Sequence, residues 1–248
     1  MGRNTGDGEG FSVFRVITHC FLICVVFYFW TSPVIHPLKL MVVLFHEMSH
    51  GLMAILTGGR ILSIVITADE GGACETEGGI ALLIVSAGYL GSMFFGGLLL
   101  YLSRFREYIP GVCMLLTLAL GAGIFTVLHD AYSRTFATGL AGSFIFVGLL
   151  LPSLIGILCL RIIGTVSCLY SIFDIYWDIL ARSHDGHTPE NDAVAFSQLT
   201  GIDARAVGLL WLGLSFIYFL VILKIMVSNI PATVVPSGAQ RKPSSAEA

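Results

Sequence analysis

The 248-residue sequence contains few charged residues, and this scarcity excludes several classes of protein. Charged residues make up 12% of the chain, about half of their share in an ordinary soluble domain, whereas 56% of the residues are hydrophobic. The basic residues form no stripe, which argues against nucleic acid as a partner. The apolar runs lack the short alternating segments of a membrane β-barrel. The composition therefore favours a helical membrane protein.

The six cysteines also lack a recognisable pattern, because no two of them form a Cys-x-x-Cys pair. Five of them fall in apolar runs, where a cysteine packs as a small hydrophobic residue. The sequence therefore supports neither a disulfide framework nor a zinc site made of thiolates.

Runs of roughly 20 apolar residues, the length that crosses a bilayer as a helix, recur along most of the chain. The predicted fold class is an all-α, multi-pass integral membrane protein with about seven transmembrane helices. One membrane-embedded domain, residues 11–229, is predicted between disordered tails at residues 1–10 and 230–248. The predicted spans are residues 14–35, 38–56, 81–103, 109–128, two spans within 135–180 that divide near Pro152, and 207–227.

The segment at residues 60–80 differs from the spans around it. Its first part reads ILSIVIT, which is short and rich in β-branched residues. Its second part, ADEGGACETEGG, is acidic and rich in glycine. This pattern predicts a small β-hairpin-like segment directly after the second span.

The second predicted span reads MVVLFHEMSHG and places His46, Glu47 and His50 in a stretch otherwise nearly free of charge. Ionisable groups are costly inside a membrane, so such a cluster indicates a functional site. His-Glu-x-x-His on a helix brings two imidazoles to one face, where both can bind a single Zn²⁺. Glu47 lies off the line of the two ligands. It is predicted to take a proton from a zinc-activated water and to pass it to the leaving amine.

A catalytic zinc normally has three protein ligands and one open position, so a third ligand is expected among the other intramembrane acids. His50 precedes the predicted helix stop at Gly58 by eight residues, about 12 Å along a helix. Asp174 lies at a matching depth in the sixth predicted span and is the predicted third ligand. Asp178, one turn nearer the surface, is the alternative, as a ligand or as a partner of a ligand histidine. Asp130 lies at the end of a span and is expected to be too shallow.

After a polar loop, NDAVAFSQLT at residues 191–200 predicts a short capped helix. Asn and Asp both accept hydrogen bonds from the amides of a first helical turn, so either Asn191 or Asp192 can be the N-cap. No further role is predicted for these two residues.

Several of these stretches also carry a resemblance to a known family. They are HEMSHGLMAILTGGR, the acidic strand-like segment after it, SAGYLGS at residues 86–92, and the later stretches SIFDIYWD and NDAVAFSQLTG. Over most of residues 38–213 the chain resembles the site-2 protease family of intramembrane zinc metalloproteases, and in particular its shorter protease-like branch. The resemblance implies that His46 and His50 bind zinc together with one Asp and that Glu47 is the base. The family's usual third-ligand motif, an Asp-Gly after an Asn-Pro stretch, is absent from every predicted span.

The predicted function is a zinc-dependent intramembrane endopeptidase whose substrates are transmembrane proteins in the lipid bilayer. A helix shields its own peptide groups, so a substrate helix must unwind before hydrolysis. Residues 61–67 are predicted to hold the unwound segment by pairing along a strand edge. Two alternatives stay open: a non-catalytic membrane scaffold or chaperone with a structural or vestigial zinc site, and a zinc hydrolase acting on a lipid amide.

Overall fold

The computed structural model describes residues 13–181 and 191–228, and most of these residues are helical. The predicted tails at residues 1–10 and 230–248 lie outside the described residues. A 3₁₀ turn at Arg106–Tyr108 precedes the helix Ile109–Thr126, and π-helical turns at Phe146–Leu150 and Ile175–Ala181 extend the helices Ala131–Ile145 and Ser153–Asp174. The elements in chain order are α1 (Val13–Tyr28), α2 (His36–Leu56), β1 (Arg60–Ile66), β2 (Gly72–Glu77), α3 (Ala81–Leu102), α4 (Ile109–Thr126), α5 (Ala131–Ile145), α6 (Ser153–Asp174), α7 (Asp192–Thr200) and α8 (Ala204–Val227).

Six helical segments in the described part of the chain are long and apolar enough to cross a membrane. The helix α1, with 16 residues, is a shorter apolar helix at the position of the first predicted span. The predicted all-α polytopic fold with a small hairpin is thereby confirmed. The predicted break near Pro152 is present too, since α6 begins at Ser153 and proline has no amide proton with which to continue a helix. The six segments are residues 36–56, 81–102, 106–126, 131–150, 153–180 and 204–227.

The helices α2, α3 and α6 pack against one another at the centre of the protein. Small residues allow this: a Cβ atom on Gly164 would lie 2.6 Å from the carbonyl oxygen of Gly96, so the backbones of α3 and α6 nearly touch. Hydroxyl groups add buried hydrogen bonds. Ser167 Oγ donates to the carbonyl oxygen of Ser92 at 2.8 Å, and the Ser92 and Ser171 hydroxyls lie 2.9 Å apart. These contacts fix α3 relative to α6.

The β-hairpin lies along α2, from the end of that helix back toward its beginning. Near the base of the hairpin, Ile61 packs on Gly51, where a Cβ atom would lie 2.5 Å from the Ile61 side chain. Farther along, Gly72 packs on Val43 and Glu47. A Cβ atom on Gly72 would lie 2.8 Å from Val43 Cγ1 and 2.9 Å from Glu47 Cγ. The two glycines therefore allow the hairpin and the helix to approach closely.

The outer edge of β1 is covered by the connection between α4 and α5 and by the first turn of α5. The amide of Ile64 donates to the carbonyl oxygen of Val127 at 3.0 Å, and the amide of Ile66 donates to Ser133 Oγ at 2.9 Å. The prediction that residues 61–67 offer their edge to a substrate is therefore wrong, because those amides already have partners within the chain.

The free edge of the described two-stranded sheet belongs to β2. The strands are antiparallel, with Ile64 opposite Cys74 and Ile66 opposite Gly72. Because Ile64 and Ile66 turn their amides away from β2, their opposite residues turn their own amide and carbonyl groups away from β1. Gly72 and Cys74 therefore present backbone groups along the outer edge of β2.

Candidate metal centre

His46 and His50 lie one turn apart on the same face of α2, and their ring centroids are 4.8 Å apart. The Nδ1 atom of His50 lies 2.7 Å from the carbonyl oxygen of Ile84. A carbonyl oxygen only accepts hydrogen bonds, so Nδ1 carries the proton. The Nε2 atom of a neutral His50 is therefore left with a lone pair, which is the state that a metal ligand requires.

The acid that reaches these two histidines is Asp192, the first residue of α7. Its Oδ2 atom lies 3.1 Å from Nε2 of His46 and 3.2 Å from Nε2 of His50. Two ligands of a tetrahedral zinc with bonds of about 2.0–2.1 Å stand about 3.3 Å apart, so these separations suit a shared ion. Oδ2 is buried and receives no hydrogen bond from any described residue. Its lone pairs are therefore available to a cation.

Asp192 can face the histidines because the residue before it caps the helix. Asn191 Oδ1 accepts a hydrogen bond from the amide of Val194 at 3.0 Å, which starts α7. Asn191 Nδ2 donates to the carbonyl oxygen of Asp178 at 2.9 Å, which attaches that start to the π-helical end of α6. Of the two residues that the sequence left open, Asn191 is thus the N-cap.

The surroundings of Asp192 favour an ionised carboxylate. Burial alone would raise the pKa of Asp192, but the imidazoles of His46 and His50 lower it when they are protonated, and the net pKa then lies well below its usual value. The cavity also contains a thiol, that of Cys74. Burial raises the pKa of Cys74 to about 12, and the Glu47 carboxylate adds to the shift. At neutral pH the thiol therefore stays protonated, and the anionic donor facing the imidazoles is a carboxylate.

Gly88 on α3 leaves the space in front of both imidazoles open. A Cβ atom there would lie 2.5 Å from Nε2 of His50 and would also overlap Nε2 of His46. The next residue, Tyr89, packs its ring edge to face with His46, with centroids 4.7 Å apart and an interplanar angle of 85°. Two ring nitrogens, one anionic oxygen and open space beside them suit a small divalent cation such as Zn²⁺.

These donor atoms open onto a cavity of about 490 Å³ that Glu47 also lines. Glu47 directly follows His46 on α2 and is 6% exposed. It contacts the start of β2, since a Cβ atom on Gly72 would overlap its carboxylate. Cys74 and Thr76 of β2 line the same cavity. The carboxylate of Glu47, which does not belong to the ligand group, thus lies beside both the candidate metal centre and the free edge of β2.

The predicted third ligand, Asp174, lines this cavity but does not belong to the group of converging donor atoms. Asp178, the predicted alternative, lies one turn along the same helix and lines the same cavity. Among the described residues, one group of three His, Cys, Asp or Glu side chains brings its donor atoms within 4.8 Å of one another. This group consists of His46, His50 and Asp192. No contact with the histidines supports Asp174, which stays a prediction from depth alone.

Asp130 serves a different element. It is the N-cap of α5 and accepts a hydrogen bond from the amide of Ser133 at 2.8 Å. Burial raises the pKa of Asp130, but the hydrogen bonds from Ser133 lower it, and the net pKa lies below its usual value. Asp130 is not among the residues that line the cavity of the two histidines.

Sequence reasoning missed Asp192 because it compared depths only among residues inside the predicted spans. The helix α7 returns against α3, which brings the start of α7 to the cavity. One signal was present in the sequence, the Asn-Asp pair at residues 191–192. Only one of two adjacent residues can be the N-cap, so the side chain of the other is available for a different role.

A family model described as Peptidase M50B-like matches residues 19–223, a range that contains all the site residues named above. No curated protein and no solved structure matches the chain. Together with the six helical segments long enough to cross a bilayer, the match shows a multi-pass integral membrane protein.

Proposed function

The chain belongs to the Peptidase M50B-like family, and on that premise we propose that it is a zinc-dependent intramembrane endopeptidase. Membership of this family suggests intramembrane metalloprotease activity on membrane proteins. The observation that carries the finer proposal is the convergence of two imidazole Nε2 atoms on Oδ2 of Asp192, an atom that is buried and without a hydrogen bond in the described structure. Glu47 lies in the same cavity.

The residues proposed to hold the zinc are His46, His50 and Asp192, with Asp192 in the place that the sequence suggested for Asp174. A zinc ion held there supplies Lewis-acid chemistry, which activates water and polarises a carbonyl group at neutral pH. Three protein ligands leave a fourth position open, as in other catalytic zinc sites. The carbonyl oxygen of Ile84 orients one ligand, and the Tyr89 ring packs against the other.

Glu47 is proposed as the general base and then the general acid. It is buried beside the ligand group without belonging to it, so its carboxylate is available to move a proton. It takes the proton of the attacking water as the new C–O bond forms. It then delivers that proton to the nitrogen of the leaving amine as the peptide C–N bond breaks.

The substrate segment is proposed to bind along β2. An unwound peptide needs partners for its amide and carbonyl groups, and an exposed strand edge supplies them without regard to the peptide's side chains. Gly72 and Cys74 present such backbone groups, and both residues line the cavity. Since Gly72 contacts Glu47, a peptide paired there would pass close to the general base.

The test is co-expression of the full chain with single-span membrane proteins, comparing wild type with Glu47→Gln. We expect wild type to release fragments cut within the span, and Glu47→Gln to bind the same zinc but to cleave about 10²–10⁴ times more slowly. A matched control is Glu107→Gln, which alters an exposed glutamate on the turn before α4 and should cleave normally.

The non-catalytic scaffold makes the opposite prediction, because it needs the fold and the metal but not the proton transfer. Equal fragment release by wild type and Glu47→Gln would therefore disprove the protease proposal. Mass spectrometry of the lipids in the same cells tests the other alternative, since a lipid amidase would change lipid amides in a Glu47-dependent way without releasing protein fragments.

A further inference from the structure

Glu70, at the tip of the hairpin, has an unusual backbone conformation. Its φ is 67°, and among the described residues it is the one residue other than glycine with a positive φ. That conformation is unfavourable for a residue with a Cβ atom and is commonly left to glycine. A glutamate is therefore expected there only if its side chain makes contacts that a glycine would lose.

The side chain of Glu70 makes three such contacts. Oε1 lies 3.1 Å from Nδ1 of His36 and accepts a hydrogen bond from Nζ of Lys39 at 3.3 Å. Oε2 accepts a hydrogen bond from the hydroxyl of Tyr170 at 3.2 Å. Lys39 is itself held in place over the ring of Trp30, with Nζ 5.1 Å from the ring centroid. The carboxylate thus attaches the hairpin tip to the start of α2 and to α6.

The position of this attachment determines where β2 begins. Gly72, two residues after Glu70, is the first residue of β2 and contacts Glu47. The helix α6 contacts Glu70 through Tyr170. Its π-helical end contacts the start of α7, because Asn191 donates a hydrogen bond to the carbonyl oxygen of Asp178. One continuous helical segment thereby fixes both the strand edge and the start of the helix that carries Asp192.

We propose that Glu70 is a positioning residue that holds the free edge of β2 at a fixed place relative to Glu47 and the metal ligands. Its part in cleavage rests on the proposed protease function, whereas its part in holding the hairpin does not. Without the Glu70 carboxylate, the hairpin tip detaches and a substrate paired with β2 binds more weakly. More than one peptide bond of the substrate can then reach Glu47. The metal ligands do not touch Glu70, so metal binding is retained.

The first experiment measures hydrogen–deuterium exchange of the amides at residues 60–77, in the full chain in lipid nanodiscs and without substrate. Glu70→Gly removes the carboxylate and adds no backbone strain, because glycine accepts the positive φ. We expect faster exchange across the hairpin in Glu70→Gly and the wild-type content of zinc. The matched control is Asp69→Asn, which removes the charge of the neighbouring exposed acid but keeps a side-chain oxygen in the turn, and it should exchange like wild type. Unchanged hairpin exchange in Glu70→Gly would overturn the proposal.

The second experiment measures cleavage of a single-span substrate by the same variants. We expect Glu70→Gly to raise KM about tenfold, the effect of losing hydrogen bonds to a charged group, with little change in kcat. It should also produce extra cut sites beside the wild-type one. Glu70→Gln keeps an acceptor oxygen for Lys39 or Tyr170 and should recover most of the wild-type KM. A merely structural role would not move the cut sites, so one unchanged cut site with an unchanged KM contradicts the proposal.

Two further outcomes are separated by design. If the wild-type protein cleaves no substrate, the proposed protease function fails, and the exchange measurement still decides whether Glu70 holds the hairpin. If Glu70→Gly does not fold, Tyr170→Phe removes only one hydrogen-bond donor and should produce a smaller increase in hairpin exchange. Wild-type exchange in Tyr170→Phe would then overturn the proposal.

Discussion

Oδ2 of Asp192 lies 3.1 Å from Nε2 of His46, although α7 lies near the end of the described chain and α2 near its beginning. The two residues meet because α7 returns against α3 and its first turn faces the cavity beside α2. The candidate metal centre therefore requires the late part of the chain to be in place. A zinc measurement thus reports on tertiary structure as well as on the two histidines.

The first prediction concerns the third zinc ligand. Loss of a residue that only supports a metal ligand lowers metal affinity by about 10–100-fold. We expect Asp192→Ala to lower zinc affinity by more than this, because Asp192 is proposed to bind the zinc directly. We expect Asp174→Ala and Asp178→Ala to retain zinc, because neither carboxylate belongs to the converging group. The measurement is metal analysis of the purified proteins combined with titration against a competing chelator. If Asp192→Ala keeps its full zinc content and Asp174→Ala loses zinc, the third ligand is Asp174, as predicted from its depth in the membrane.

The second prediction concerns the cap that places Asp192. Asn191→Ala removes the hydrogen bond from the Val194 amide and the bond to the Asp178 carbonyl oxygen. We expect a loss of about 1 kcal/mol in helix stability and a zinc affinity about tenfold lower. Asp203→Ala is the matched control, because Asp203 caps α8 through the amides of Arg205 and Ala206. It should have a similar stability cost and normal zinc affinity, so equal zinc affinities in the two variants would contradict this role of Asn191.

The third prediction concerns the space in front of the imidazoles. Gly88→Ala places a methyl group 2.5 Å or less from both Nε2 atoms, so we expect loss of zinc and of cleavage with the helices intact. Gly121→Ala is the control, because a Cβ atom at Gly121 meets nothing within 4 Å. That change should stabilise α4 by up to about 1 kcal/mol and leave zinc unchanged. Circular dichroism and metal analysis measure the two effects, and a Gly88→Ala protein with full zinc content would disprove the placement of the site.

The fourth prediction concerns the free edge of β2. Cys74→Pro removes one outward amide proton from the proposed substrate edge, a position at which a strand tolerates proline. We expect KM to rise roughly two- to tenfold through the lost hydrogen bond, with zinc content unchanged. Cys74→Ala removes the thiol but keeps the amide, and it should cleave like wild type. If both variants have the wild-type KM, the substrate does not pair with β2 at this residue.

Six of the predicted spans correspond to helices long enough to cross a membrane, because the length of an apolar run is set by the thickness of the bilayer. The span predicted at residues 14–35 is instead the shorter helix α1. Differences occur at helix ends, where single polar contacts decide. The span expected from residue 135 begins at Ala131, because Asp130 accepts the hydrogen bond that starts the helix. The hairpin was also predicted, since β-branched residues followed by glycines favour strands and turns. The outer edge of β1, however, is covered by Val127 and Ser133, which are distant in sequence. A local sequence pattern could not predict that contact.

The sequence by itself determined the helical membrane fold and the placing of His46, Glu47 and His50 on one helix. A helical period of 3.6 residues brings positions four apart to the same face, whatever the rest of the chain does. The tertiary structure alone decided that Asp192 meets these histidines and that β2 supplies the free edge. Both relationships depend on how distant segments pack, and the choice of Asn191 as the cap directs the Asp192 carboxylate into the cavity.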